Sequence, residues 1–208
     1  MDDIGYSVDE TTNPFSTKFI QPGAIPYLFP EEESMADVLK RLEDAGWMGE
    51  IIGPHGTGKS TLITAVLREL EHRGKPVYSV TLHDGQRRLP FVPAKLERSA
   101  GTILVVDGFE QLSWWNRQTL FRVCRQRQWG ILVTAHTPTG LPTLYETLMS
   151  PALGMRVVLE LLECVGATDD TDSPPVPSRT LDVLREHDGN LRETLFELYD
   201  DYEASQRS

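Results

Sequence analysis

Gly53-Pro54-His55-Gly56-Thr57-Gly58-Lys59-Ser60, followed at once by Thr61, places three glycines, one lysine and three hydroxyls within nine residues. Glycines let a backbone turn its N–H groups inward around an anion, a lysine after the last of them adds a compact positive charge, and the next hydroxyl is a hard oxygen donor for magnesium. The spacing G-x-x-x-x-G-K-[ST] matches the polyphosphate of a nucleotide, with Gly53 to Thr61 as cradle, Lys59 on the β and γ phosphates and Ser60 on Mg2+. Its four fixed positions arise by accident in a chain of this length roughly once in a hundred.

A second centre lies downstream. The β-branched run Thr102-Ile103-Leu104-Val105-Val106 ends in Asp107-Gly108-Phe109-Glu110. An aspartate at the end of such a strand holds the magnesium ion in P-loop NTPases, and Asp107 fits that role. Glu110 is the nearest group able to act as base toward a water attacking the γ-phosphate.

The elements that must position these residues are legible around them. Glu50-Ile51-Ile52 reads as a short buried strand before the glycine loop, and Leu62, Ile63, Val66, Leu67 and Leu70 recur at helical spacing after it, closed by Gly74 and Pro76. That helix aims its N-terminus at the phosphates. Further strands are expected at Val77 to Leu82, Thr102 to Val106, Gly130 to Ala135 and Met155 to Leu161. With the first they predict an α/β fold, a P-loop three-layer sandwich around a mainly parallel five-stranded sheet. Ser34 to Asp44 reads as an amphipathic helix, and Asn116 to Gln128 as another.

Organisation outside that core follows composition. Residues 1–32 mix four prolines and two glycines with large apolar side chains, which suits an extended segment lying on a domain surface. Residues 33–165 are expected to form the nucleotide-binding core. The acidic, proline-rich 166–178 reads as a linker, and 179–208 as a small helical lid.

The loop at 53–61 and the strand ending Asp107-Gly108-Phe109-Glu110 resemble the P-loop ATPases with an additional catalytic glutamate, the group holding AAA+, STAND, RecA-like and ABC ATPases. The Asp-Gly-apolar-acid order is most similar to the STAND and NACHT branch and its AAA+ relatives, although in the common AAA+ form the glutamate directly follows the aspartate, where this chain has Gly108. The resemblance implies ATP as ligand, Mg2+ as cofactor, and a polar residue after the fourth strand, Thr134 or His136, as γ-phosphate sensor. Asp188-Gly189-Asn190-Leu191-Arg192-Glu193 resembles the opening of the AAA+ lid helix and implies Arg192 as a further nucleotide contact. Only 48 residues separate Lys59 from Asp107 and no Leu-Ser-Gly-Gly-Gln occurs, which excludes a standard ABC domain. An Asn-Lys-x-Asp guanine-reading sequence is absent too, so ATP is expected rather than GTP. Hydrolysis coupled to movement is the leading reading. A nucleotide-operated binding switch with little turnover is the alternative, and a small-acceptor kinase a third.

Composition bounds the partners. A net charge of −11 and a pI near 4.9 disfavour nucleic-acid binding through a general basic surface, though not through a local patch. Cys124 and Cys164 lack metal or disulfide spacing, no stretch has the length of a membrane span, and no basic signal opens the chain, so a soluble cytoplasmic protein is expected. A protein partner or a homo-oligomer is the expected companion. Arg117, Arg122, Arg125 and Arg127 share one helix, where they read first as a solvated face and second as a source of an arginine finger. Trp114-Trp115 reads as core packing or a partner surface, and Arg87 and Arg88 as surface charge.

Overall fold

A short apolar run flanked by glycines becomes a buried parallel strand only when both its faces are covered, and three such runs form the centre of this protein. The computed structural model describes residues 13–92, 95–96, 99–164 and 176–205. These divide into two compact units, Phe29–Leu148 and the described parts of Met1–Leu28 with Met149–Ser208.

The first unit is a sheet of five parallel strands in the order β2-β3-β4-β1-β5. β1 (Met48–Ile52), β3 (Ile103–Asp107) and β4 (Gly130–Ala135) are almost wholly buried, whereas β2 (Val77–Thr81) and β5 (Thr143–Glu146) form the edges. The helices of this unit are α2 (Met35–Asp44), α3 (Lys59–His72) and α4 (Trp114–Arg127). Ser34 caps α2, accepting from Asp37 N, and Val38, Leu39 and Leu42 are its buried face. Ser113 likewise caps α4. Gly130 opens β4 where a Cβ would lie 2.6 Å from the Trp47 carbonyl oxygen, so the close approach of β4 to the start of β1 needs glycine.

The return from β4 to β5 is unusually short. Parallel strands ordinarily need a crossover of a dozen residues or more, yet only residues 136–142 join these two. They can do so because β5 pairs only with the upper part of β1, Glu50 opposite Thr143 and Ile52 opposite Glu146. Glu50, with no exposed surface, holds the returning loop: its Oε2 accepts from Thr139 N at 2.8 Å and Thr139 Oγ1 at 2.6 Å, and its Oε1 from Thr143 Oγ1 at 3.1 Å.

The second unit is helical. It contains the four-residue α1 (Thr17–Ile20), α5 (Pro151–Cys164), α6 (Val176–Glu186) and α7 (Leu191–Ser205). Phe15, Val157, Val158, Leu161, Leu162, Leu195 and Leu198 belong to its core. Gly154 lets α5 approach α6, since a Cβ there would sit 2.6 Å from Leu184 Cδ2. Arg179 on α6 pairs with Glu197 and Asp201 of α7. Asn13 accepts from Phe15 N and donates to the Tyr199 carbonyl and to Glu203, so this stretch of the N-terminal segment is packed on helices of its own unit.

Five parallel strands are present as expected, but the fifth is not Met155–Leu161. That run lies inside α5, and Thr143–Glu146 supplies the strand. Val157 and Val158 favour a strand locally, but Leu153, Val157, Val158, Leu161 and Leu162 follow helical spacing and form one buried face. The expected linker falls largely outside the described residues, as do residues 1–12.

Glu50→Ala removes three hydrogen bonds and leaves the Thr139 N–H without its carboxylate, and should destabilise the sheet unit by about 2–4 kcal/mol. Glu50→Gln, which keeps acceptor capacity, should cost less than half as much. Urea denaturation of the two variants against wild type measures both.

Candidate nucleotide site

The loop after β1 turns on glycines at positive φ: Gly53 at 150°, Gly56 at 72° and Gly58 at 93°. Gly53 is also held by space, because a Cβ there would meet Thr147 Oγ1 at 2.2 Å and the Thr147 carbonyl oxygen at 2.4 Å. Thr147 braces the loop from the end of β5. Its N–H donates to the Ile52 carbonyl at 2.8 Å, and its hydroxyl meets Thr57 Oγ1 at 2.6 Å. Thr57 in turn donates to the Pro54 carbonyl at 2.9 Å. Gly53, Thr57 and Thr147 are buried, whereas Pro54 and His55 are exposed.

α3 begins at Lys59 behind Gly58, which supplies no capping side chain. A helix start of fourteen residues without a side-chain acceptor directs N–H groups and dipole toward an anion. Lys59 is buried and its ammonium donates to the carbonyls of Gly53 at 2.7 Å and Pro54 at 2.6 Å, which holds the charge over the loop.

Asp107 ends β3 beside Thr134 near the end of β4. The Thr134 hydroxyl donates to Asp107 Oδ1 at 2.5 Å and accepts from Gly108 N at 2.8 Å, so one hydroxyl orients both the carboxylate and the turn that follows it. Gly108 has φ 82°, and a Cβ there would lie 2.7 Å from the Leu82 carbonyl oxygen; the glycine after the aspartate is a packing requirement.

That turn runs into a 3-10 turn at Phe109–Gln111, which presents Glu110. Arg117 of α4 fixes it from behind, donating to the carbonyls of Glu110 at 2.7 Å and Leu112 at 2.9 Å, with its guanidinium 5.3 Å from the Phe109 ring centre. Glu110 Oε1 lies 2.8 Å from His136 Nε2, while its Oε2 is buried with no hydrogen-bond partner among the described residues. An unpaired buried carboxylate oxygen is costly and calls for a donor. His136 is itself stacked edge-on by His55 of the glycine loop, ring centres 3.5 Å apart at 72°.

Burial holds the His136 imidazole below its ordinary value of 6.5. The neighbouring Glu110 charge opposes this, and the positive charges of Lys59 and His55 add to it. With the ring neutral at pH 7, the 2.8 Å contact is Nε2–H donating to a carboxylate.

The carboxyl ends of β1, β3 and β4 therefore bring together Lys59, Asp107, Glu110, Thr134 and His136, with His55 added. This is the end of a parallel sheet where ligands ordinarily bind. Among the described residues no cluster of three or more His, Cys, Asp or Glu could hold a metal unaided. Ser60 and Asp107 are two oxygen donors, the number suited to Mg2+ that takes its remaining ligands from phosphate and water. Arg192 lies in the other unit, exposed, in the first turn of α7. Asn190 caps that helix weakly, accepting from Glu193 N at 3.4 Å, but its own N–H goes to the His187 carbonyl and not to Glu193. Arg117 and Arg127 are turned to backbone carbonyls, and Arg122 and Arg125 are exposed. Cys124 is a core residue whose thiol burial has pushed up to about 11.

Sequence reasoning missed Thr147, the contact of His55 with His136, and the bracing role of Arg117, which it read as part of a solvated face. For Thr147 no signal existed, because its strand was itself unassigned. Arg117 stands seven residues after Glu110 on the next helix, a spacing that offers a brace.

The parallel sheet with its flanking helices is an α/β fold that this chain shares with solved structures. Among solved structures, the chain is similar to a DNA replication initiation factor (TM-score 0.58, 17% identity, 87% of this chain and 66% of that one). It is also similar to AMPPCP-bound DnaA from Aquifex aeolicus (TM-score 0.54, 17% identity, 87% and 68%). The RuvB Holliday junction branch migration motor of Thermotoga maritima gives a TM-score of 0.48 at 16% identity over 82% and 69%. No family model and no curated protein sequence matches the chain. Among the described residues no helix is long and apolar enough to cross a membrane.

The His136 imidazole, followed by NMR, should titrate below 6.5, and in Glu110→Gln lower still, because the carboxylate is what draws its pKa upward. Since folding favours the neutral ring, this contribution to stability is complete above 6.5 and is lost as pH falls through the folded-state value.

Proposed function

We propose that the chain binds Mg-ATP on Gly53–Thr61 and hydrolyses it. The observation that carries this reading is the convergence of a phosphate loop, a strand-end aspartate and a second carboxylate whose buried Oε2 has no partner among the described residues. Magnesium, when bound, would act as a Lewis acid that neutralises phosphate charge.

The remaining roles belong to the protein's own groups. The loop N–H groups and the start of α3 hold the phosphates, and Lys59 exchanges its loop carbonyls for phosphate oxygens. Ser60 and Asp107 would hold the metal, with Thr134 keeping Asp107 in one orientation. Glu110 accepts the proton of the attacking water at Oε2, the oxygen not engaged by His136. His136, neutral, donates to Oε1 and keeps the carboxylate aimed. A binding switch with little turnover is the second reading. It is favoured by the same hydrogen bond, which commits half of Glu110 to His136.

The two are separated by phosphate release and nucleotide affinity measured together. Turnover should depend on magnesium and vanish in Lys59→Ala. Glu110→Gln should lower the rate by at least about a hundredfold while ATP still binds. Tight ATP binding with negligible phosphate release, the same in wild type and Glu110→Gln, would leave only the switch.

A further inference from the structure

α4 departs from the charge of the rest of the molecule. Its sequence, WWNRQTLFRVCRQR, holds four arginines and no acid in a chain of net charge −11. Its exposed face begins with Trp114 and Trp115, 61% and 75% exposed and packed edge-on against each other at 4.6 Å. It continues through Gln118 and Thr119 to Arg122 and Arg125, all exposed. The loop after β2 adds Arg87 and Arg88, both exposed. Asn116 Nδ2 and Ser113 N donate to the Arg87 carbonyl at 2.8 Å and 3.2 Å, which fixes that loop against the start of α4. The acid of that loop, Asp84, is engaged by Gln111 Nε2 at 2.9 Å.

Two fully presented indoles are expensive to leave in water, and large exposed aromatics mark interaction surfaces. The surroundings decide the kind. A protein interface centres on aliphatic and aromatic groups with charge at the rim; here no exposed aliphatic residue of α4 accompanies the indoles, and guanidinium and amide groups fill the face. Aromatic platforms flanked by arginines are what a single nucleic-acid strand uses, bases on the rings and phosphates on the guanidiniums. Trp115 to Arg125 spans about 15 Å of helix, room for about four stacked nucleotides at about 3.4 Å each. We propose that the exposed face of α4, with Arg87 and Arg88, binds single-stranded nucleic acid. Net charge alone disfavours such a partner, but the charge that matters is local. The surface is distinct from the nucleotide loop, and the proposal does not depend on ATP hydrolysis.

The test is fluorescence anisotropy of a labelled thymidine oligonucleotide of about 20 nucleotides, titrated with the full chain at about 50 and about 200 mM salt. Saturable binding is expected, weakening roughly fiftyfold between the two salts if four guanidiniums reach phosphates. Lys59→Ala should bind as wild type does. Trp114→Ala and Trp115→Ala should each weaken binding by about tenfold at an unchanged salt slope, whereas Arg122→Glu with Arg125→Glu should weaken it and lower the slope by about 1.4. A duplex of equal length, its bases already stacked, should bind less tightly than the single strand. The proposal is overturned by an absence of saturable binding, by full affinity in the tryptophan variants, or by equal affinity for duplex. It is overturned equally if solution mass shows that these substitutions dissociate a contact between copies of the chain and leave oligonucleotide affinity unchanged.

Discussion

A carboxylate sealed inside a parallel sheet is tolerated only when its oxygens are fully engaged, and the site depends on one that is. Glu50 takes three hydrogen bonds from the loop between β4 and β5. Those bonds let seven residues do the work of a crossover that ordinarily includes a helix. The loop begins with His136, the partner of Glu110, and ends in β5, which delivers Thr147 under the phosphate loop. Both the glycine cradle and the partner of the second carboxylate are thus set by one buried acid that touches neither.

The remaining positioning comes from groups that each serve two neighbours. The Thr134 hydroxyl bonds Asp107 and Gly108, and Arg117 spans the carbonyls on either side of the 3-10 turn. Glu110 is therefore held through its backbone by α4 and through its side chain by the loop that leaves β4, with one oxygen left over. The electrostatics agree with the geometry. Burial, with the charge of Lys59 adding to it, keeps His136 neutral, so the imidazole meets the carboxylate as a hydrogen-bond donor.

Much of this was legible in the residues. The glycine loop, the strand ending in Asp107, the two helices flanking the first strand and the polar end of β4 follow from spacing and composition, and the structure has the α/β architecture they predict. What was illegible shares a cause. Glu50 was read as part of an apolar run, because a buried charge is visible only once its partners are, and they lie 89 and 93 residues away. Thr143–Glu146 is too short to stand out as a strand, while the paired valines of α5 imitate one. Positive φ at Gly108 was hidden as well: its glycine reads as a departure from a motif, when the Leu82 carbonyl leaves room for nothing larger.

Thr134 lies in the last pleat of β4, and His136 is the first residue of the bend that follows the strand. The end of one strand thus serves both acids, Thr134 bonding Asp107 and His136 meeting Glu110. A residue gained or lost in β4 ahead of Thr134 would therefore shift the anchors of both acids at once, as a register slip does.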